Sequence, residues 1–390
     1  MKVALLCNFP LYDYVAELGI KTDLIKRYTS WNVNLVKGLR ELETLELLVI
    51  TSDPLLPRTQ VIEDDHLTIY FIHPPRRANL LTGFQWLRFK VLKILQDFKP
   101  DIVHGIGTEH IYPYIAVHSS YPHVVTVHGI MNEIVRKSKL PIISKKRLFA
   151  LVERYVFKQS QHLISINSYV ERVAKNFTKA KIYSVENPVA EGFFKHKADP
   201  GTSKIILFVG DIQQHKDLLT LLDAFSIVRN HNNIHDDLRL SIVGSVVDPG
   251  YFEQLQSRIA ENHIQKNIQF HGFVSPGRLP EVYAHAAFLM LSSIQETAPM
   301  CIAEAMSCGL PVVATDVGGV KHMVRDGVTG FVIPVRDPTA LADVANQLLR
   351  NKALRKRMGN AAKVEAKNRF HPRTVAEKTL NVYRAILGDR

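Results

Sequence analysis

Short runs of aliphatic and β-branched residues alternate with helical patterns along the whole chain. Residues 2–7, 45–51, 67–72, 101–105, 123–128, 163–166 and 181–185 read as buried strands, with helical periodicity around 31–42, 82–98 and 144–159. The scheme repeats at 204–209, 238–243, 268–273, 288–291, 311–314 and 331–333. The strands are continuously apolar rather than alternating, as strands covered on both faces must be. The pattern predicts an α/β chain with two Rossmann-like domains, each a parallel sheet between helices. The weakest-patterned stretch, 187–203, carries Pro188, Gly192, Pro200 and Gly201 and reads as the linker, dividing the chain into 1–188 and 189–372. Three helical patterns close the chain, the last (374–387) after the breaker Pro372. Ligands of open α/β sheets lie beyond the carboxyl ends of the strands. Two such sheets facing a central cleft would suit two substrates.

Composition narrows this picture. A chain of 390 residues is comfortable for two cores, and 46% hydrophobic residues is ordinary for a globular protein. No apolar run approaches the roughly 20 residues of a membrane span. The opening apolar run meets Asn8-Phe9-Pro10 too soon for a signal peptide and reads as a first strand. Cys7, Cys301 and Cys308 have no metal-ligand or redox spacing, which points to reduced thiols and a cytoplasmic setting. The net charge is +12, with its excess in the first half. One basic stretch sets Phe84, Trp86 and Phe89 among Arg88, Lys90 and Lys93. In the other, Arg136, Lys137, Lys139, Lys145, Lys146, Arg147, Arg154 and Lys158 face Glu153. Two readings stay open for them: solvated helix faces, or a surface for nucleic acid, an anionic membrane or an acidic substrate. No nucleic-acid recognition module accompanies them.

The chemistry concentrates in 292–309. A strand ends near Leu291, Pro299 suits the first position of a helix, and Gly309 suits its end. The free N–H groups around Met300 to Ile302 would bind a phosphate. Glu296 before the helix and Glu304 on its second turn could then reach the sugar and the ribose of one ligand. On spacing alone both also fit an ordinary helix and its cap region.

The longer stretch 288–334 resembles the donor-site signature of glycosyltransferase family four, whose fold is GT-B. Glu296 and Glu304 match its E-x7-E pair, and Glu304-Ala305-Met306, Cys308-Gly309-Leu310-Pro311-Val312-Val313-Ala314-Thr315-Asp316 and Gly318-Gly319 match its flanks. Weaker likeness covers nearly the whole chain, through Pro100-Asp101-Ile102-Val103-His104, Thr126-Val127-His128-Gly129 and Phe270-His271-Gly272-Phe273-Val274. A final helix, 373–390, resembles the one that crosses back onto the first domain.

The resemblance implies retaining transfer of a hexose from a UDP- or GDP-linked donor to a glycan, lipid-linked or small-molecule acceptor. It implies catalytic roles for Glu296, His128 and Lys216. Gly210, Lys216, Phe273, Glu296, Met300, Cys301 and Glu304 would bind the donor. Lys26, Arg27, Glu109 and His110 are the candidate acceptor contacts. With no D-x-D motif, neither a metal nor a cofactor is expected, and Lys216 with the helix terminus would hold the diphosphate. The basic stretches extend the cytoplasmic expectation to a peripheral contact at the inner face of a membrane. Several positions depart from the family. Asp211 stands where an arginine is usual, with His215 a candidate substitute, and His322 replaces a glutamate. The glycine pair after the first strand is replaced by residues 8–30 with Lys21, Lys26, Arg27 and Tyr28. A nucleotide-sugar epimerase and a non-catalytic protein with an altered donor site are the competing readings.

Overall fold

The computed structural model describes residues 1–11, 14, 18, 30–42, 45–75, 84–137, 141, 144–196, 198–201, 203–230 and 237–388. The chain forms two compact units, Met1–Pro188 with Pro372–Arg390, and Val189–His371.

The first unit is built on an eight-stranded sheet: β1 (Lys2–Leu6), β2 (Glu46–Ser52), β3 (Gln60–Asp64), β4 (Leu67–Ile72), β5 (Ile102–Ile106), β6 (His123–Val127), β7 (His162–Ser165) and β8 (Lys181–Ser184). Their order is β3-β4-β2-β1-β5-β6-β7-β8. β1 lies parallel between β2 and β5, so strand order reverses there, and the crevice beyond their carboxyl ends is the usual ligand site. β1 sends Val3 and Leu5 into one core and Ala4 and Leu6 into the other, so both faces are apolar. The helix Ser30–Arg40 and the last helix, Pro372–Leu387, share the first of these cores through Val33, Val36, Val375, Ala376 and Tyr383.

Three expectations need correction here. β3 runs antiparallel to β4, so this sheet is not wholly parallel. As a largely exposed edge strand it has no continuous apolar run to announce it. Pro372 begins the last helix instead of preceding it, since a missing N–H costs nothing in a first turn. The helices Tyr112–Val117, Met131–Lys137 and Ser168–Ala174 are too short for periodicity to reveal.

The second unit holds a six-stranded parallel sheet: β9 (Ile205–Val209), β10 (Arg239–Val243), β11 (Ile268–Gly272), β12 (Phe288–Leu291), β13 (Val312–Thr315) and β14 (Gly330–Ile333). The order β11-β10-β9-β12-β13-β14 is that of a dinucleotide-binding sheet, reversing between β9 and β12. The stretch read as a linker contains the helix Glu191–Lys195, whose buried Phe193 meets the Tyr283 ring edge-on at 5.5 Å. It is packed structure, and five residues are too few to show a period.

Gly38 gives a sign test of the packing in the first unit. In an exposed helix Gly→Ala gains roughly 1 kcal/mol. Here an added Cβ would lie 2.5 Å from the Pro372 carbonyl oxygen, which is backbone and cannot swing aside. Gly38→Ala should therefore destabilise by about 1–3 kcal/mol, read by denaturant unfolding. A stabilised variant would show that this helix contact yields.

Candidate functional site

In the second unit, Gly210 follows β9, Gly244 follows β10, Phe273 follows β11, Ser292 follows β12 and Asp316 follows β13, all at the carboxyl edge of the sheet. Backbones crowd there. A Cβ on Gly244 would fall 1.9 Å from the Gly210 carbonyl oxygen. One on Gly318, whose φ is 54°, would fall 1.7 Å from that of Glu296. Gly318 thus lets the chain after β13 press against the loop that carries Glu296.

At the β9/β12 reversal, Lys216 Nζ meets Glu296 Oε1 at 2.5 Å, with the side chains only 13% and 10% exposed. Ser293 Oγ donates to the same carboxylate oxygen at 2.8 Å. The two supporting loops are tied together: Ser292 Oγ donates to the carbonyls of Lys216 and Asp217, and Ile294 N–H to that of His215. Burial works to lower the Lys216 ammonium, but Glu296 and, more weakly, Asp211 outweigh it, so Lys216 stays charged. Lys216 ends the 3-10 turn Gln214–Lys216, just before the helix Leu218–Asn230. Asp217 at φ 48° makes the corner between them. Asp211 is exposed, and the direct partner of Lys216 is Glu296.

The helix Met300–Cys308 starts just past this pair. Pro299 caps it from outside, one residue earlier than expected, and its carbonyl accepts from Ile302 N–H. That leaves the amides of Met300 and Cys301 as the first-turn donors to consider. Burial pushes the Cys301 thiol up to about 12, so its side chain stays neutral. Glu304 accepts from the Tyr283 hydroxyl at 2.7 Å, and burial pushes its carboxyl up to about 7. Gly309 ends the helix at φ 82°. Phe273 is 54% exposed.

In the first unit, His128 follows β6 and Glu109 follows β5. His128 Nδ1 lies 3.6 Å from Glu109 Oε1, longer than a hydrogen bond, and the Trp31 ring meets His128 edge-on at 5.4 Å. Burial alone would raise the Glu109 carboxyl, but His128 and His110 outweigh it and hold it low. Glu109 Oε2 is buried with no hydrogen-bond partner among the described residues. Burial also lowers His110. By contrast His104, within β5, is structural. It pairs with the Tyr383 hydroxyl at 2.7 Å and Thr126 Oγ1 at 2.6 Å, and burial pushes it down to about 3.

The chain after His128 is fixed by a buried acid that the motif reading did not single out. Glu153 has no exposed surface and accepts from Met131 N–H, Asn132 N–H, Asn132 Nδ2 and Thr108 Oγ1. Four donors satisfy it, although burial still raises its carboxyl. Its one sequence signal was its isolation: the sole acid among eight cations. Ser293 and Tyr283 were missed as well, and only Ser293 stood inside the motif. Lys21, Lys26, Arg27, Tyr28 and Lys139 lie outside the described residues. Among the described residues no group of three His, Cys, Asp or Glu could hold a metal, and no helix is long and apolar enough to cross a membrane.

Comparison with known proteins fits this architecture. Residues 190–365 match the family described as "Glycosyl transferases group 1", and residues 31–191 match "Glycosyltransferase Family 4". N-acetyl-alpha-D-glucosaminyl L-malate synthase of Bacillus anthracis is 24% identical over 276 residues, 68% of each chain. Among solved structures, sucrose-phosphate synthase from Thermosynechococcus elongatus superposes over 100% of both chains with a TM-score of 0.78 at 18% identity. Anabaena HepE, solved with UDP and glucose, covers 99% of this chain and is itself covered fully, with a TM-score of 0.72 at 15% identity. The chain therefore belongs to glycosyltransferase family 4, built from paired Rossmann-like domains in the GT-B manner.

Proposed function

We propose that this glycosyltransferase moves a hexose, with retention at the anomeric carbon, from a UDP- or GDP-linked donor to a glycan, lipid-linked or small-molecule acceptor. The observation that carries the reading is the buried Lys216–Glu296 pair at the strand reversal of the second unit. HepE, solved with UDP and glucose, supports the nucleotide-sugar donor.

In this reading the Lys216 ammonium and the Met300 and Cys301 amides meet the charge that gathers on the departing diphosphate. Glu296 grips sugar hydroxyls as the ring flattens toward an oxocarbenium ion, and Ser293 holds that carboxylate in place. Glu304 receives the ribose hydroxyls, Gly210 leaves room for the phosphates, and Phe273 lies against the base. The bond from the anomeric carbon to the phosphate oxygen breaks. The acceptor oxygen bonds on the same face, and its proton passes to the leaving phosphate. In the first unit, His128 is assigned to sugar binding, and Glu109, whose Oε2 has no hydrogen-bond partner among the described residues, and His110 to acceptor binding.

Asp211 favours one rival, a donor-altered binding protein, because it adds negative charge beside the phosphate lysine. Glu296→Gln and Lys216→Ala separate the two. Each should cut turnover about 10²-fold or more, roughly 2.7 kcal/mol, in assays of nucleotide diphosphate release. Normal turnover in both variants would remove the pair from the mechanism. A wild-type chain that releases no diphosphate from any nucleotide sugar would favour the rival.

No metal is assigned to the diphosphate, because lysine and amide donors take that role. Activity should persist in EDTA. Loss on chelation with recovery in manganese or magnesium would contradict the assignment.

Glu304 adds a pH dependence. Its folded carboxyl, near 7, lies above the ordinary 4.5, so the folded chain binds the proton more tightly than the unfolded one. Its stabilising contribution is full below the ordinary value and is lost as pH rises through about 7, on the order of 3 kcal/mol. Ribose binding wants the carboxylate, so nucleotide affinity should rise over the same window. Calorimetry from about pH 5 to about pH 8 on the wild type and Glu304→Gln tests both slopes, which the variant should lack. An unchanged slope in the variant would assign the titration elsewhere.

A further inference from the structure

The first unit carries a basic concavity that the transfer chemistry leaves unused. It lies between the helices Met131–Lys137 and Lys145–Gln159 and encloses about 570 Å³. Arg136, Arg147 and Arg154 line it together with Leu151, Val135 and Phe177. Among its described lining residues Glu133 is the one acid, set against three arginines, and it pairs with Arg136 at 2.9 Å. Arg154 is braced against the wall, where its Nε donates to Asn132 Oδ1 at 2.6 Å.

The helix Lys145–Gln159 extends this character outward. Leu148 and Leu151 are 52% and 62% exposed and stand among Lys145, Lys146, Arg147, Arg154 and Lys158. The helix has one acid, Glu153, and that side chain is wholly buried. Its outer face therefore carries cations and exposed leucines and no carboxylate of its own. A solvated face does not need exposed leucines, and a soluble anion leaves them in water. Nucleic acid would call for free flat rings to stack on its bases, whereas the exposed ring of this helix, Tyr155, is already stacked on His118 at 5.3 Å and leucine offers only hydrocarbon. A partner that is anionic at its surface and apolar just beneath satisfies both features.

We propose that the Lys145–Gln159 helix is an interfacial docking helix for an anionic phospholipid bilayer. The leucines enter the upper acyl region, and a lipid phosphate lodges in the hollow between Arg136, Arg147 and Arg154. The docking is independent of sugar transfer, so it stands or falls without the donor-site assignments.

Cosedimentation of the full chain with phosphatidylcholine vesicles, with and without phosphatidylglycerol, tests it. Binding should require the anionic lipid and fall steeply between about 0.05 M and about 0.5 M salt, as the screening length shortens. Arg136→Gln, at a side chain 72% exposed, should weaken binding about fivefold. Leu151→Ser should weaken it about tenfold. Circular dichroism shows whether both variants stay folded. Three results would overturn the proposal: no vesicle binding at low salt, equal binding to neutral vesicles, or wild-type binding by both folded variants. Tight binding of a single-stranded oligonucleotide that ignores Leu151→Ser would assign the hollow to nucleic acid instead. Displacement from vesicles by millimolar orthophosphate, equally in Leu151→Ser, would assign it to a soluble anion.

Discussion

The second unit depends on keeping two opposite charges together out of water. Desolvating a carboxylate and an ammonium costs several kcal/mol per ion, and their attraction offsets this only with close geometry and further hydrogen bonds. Lys216 and Glu296 meet both conditions, at 2.5 Å and with Ser293 as an added donor. The surrounding chain can be read as what holds that geometry. Ser292 fastens the Lys216 turn to the Glu296 loop, Thr315 Oγ1 donates to the Ser293 carbonyl, and Gly318 lets the next strand end close in behind. Removing one charge would strand the other, so the pair constrains the fold as well as the chemistry.

The first unit meets a similar problem differently. Glu153 is a buried carboxylate held by neutral donors, and it fixes the residues that follow His128. Neutral donors leave no mobile counter-charge to compete for an incoming ligand, which suits a support. A cation partner such as Lys216 can instead be shared with a ligand's own negative charge, which suits a site.

Much of this was legible in the sequence because buried parallel strands write themselves as unbroken apolar runs. The run from Glu296 to Gly319 was legible for a related reason, since Glu296, Glu304, Gly309 and Gly318 there each answer a specific steric or charge demand. Gly318 is the clearest instance, with no room for any side chain. What stayed hidden falls into two kinds. β3 and the helix Glu191–Lys195 are too exposed or too short to imprint a period. The pairings of Tyr283 with Glu304 and of Glu109 with His128 join residues whose proximity only the folded sheets create. Lys216 combines both cases: its type and place were readable, but the 3-10 turn and left-handed Asp217 that aim it were not.

The last helix has a consequence for how the chain acquires its shape. Val375, Ala376, Leu380, Val382 and Tyr383 complete a core whose other buried members lie before residue 189. The second unit is continuous in sequence and can condense as soon as it is synthesised. The first cannot close until the ribosome has passed through all of the second, and until then the helix Ser30–Arg40 covers only part of that face of its sheet. During synthesis the earlier half therefore matures last, and for that interval it is the half exposed to aggregation and in need of chaperones.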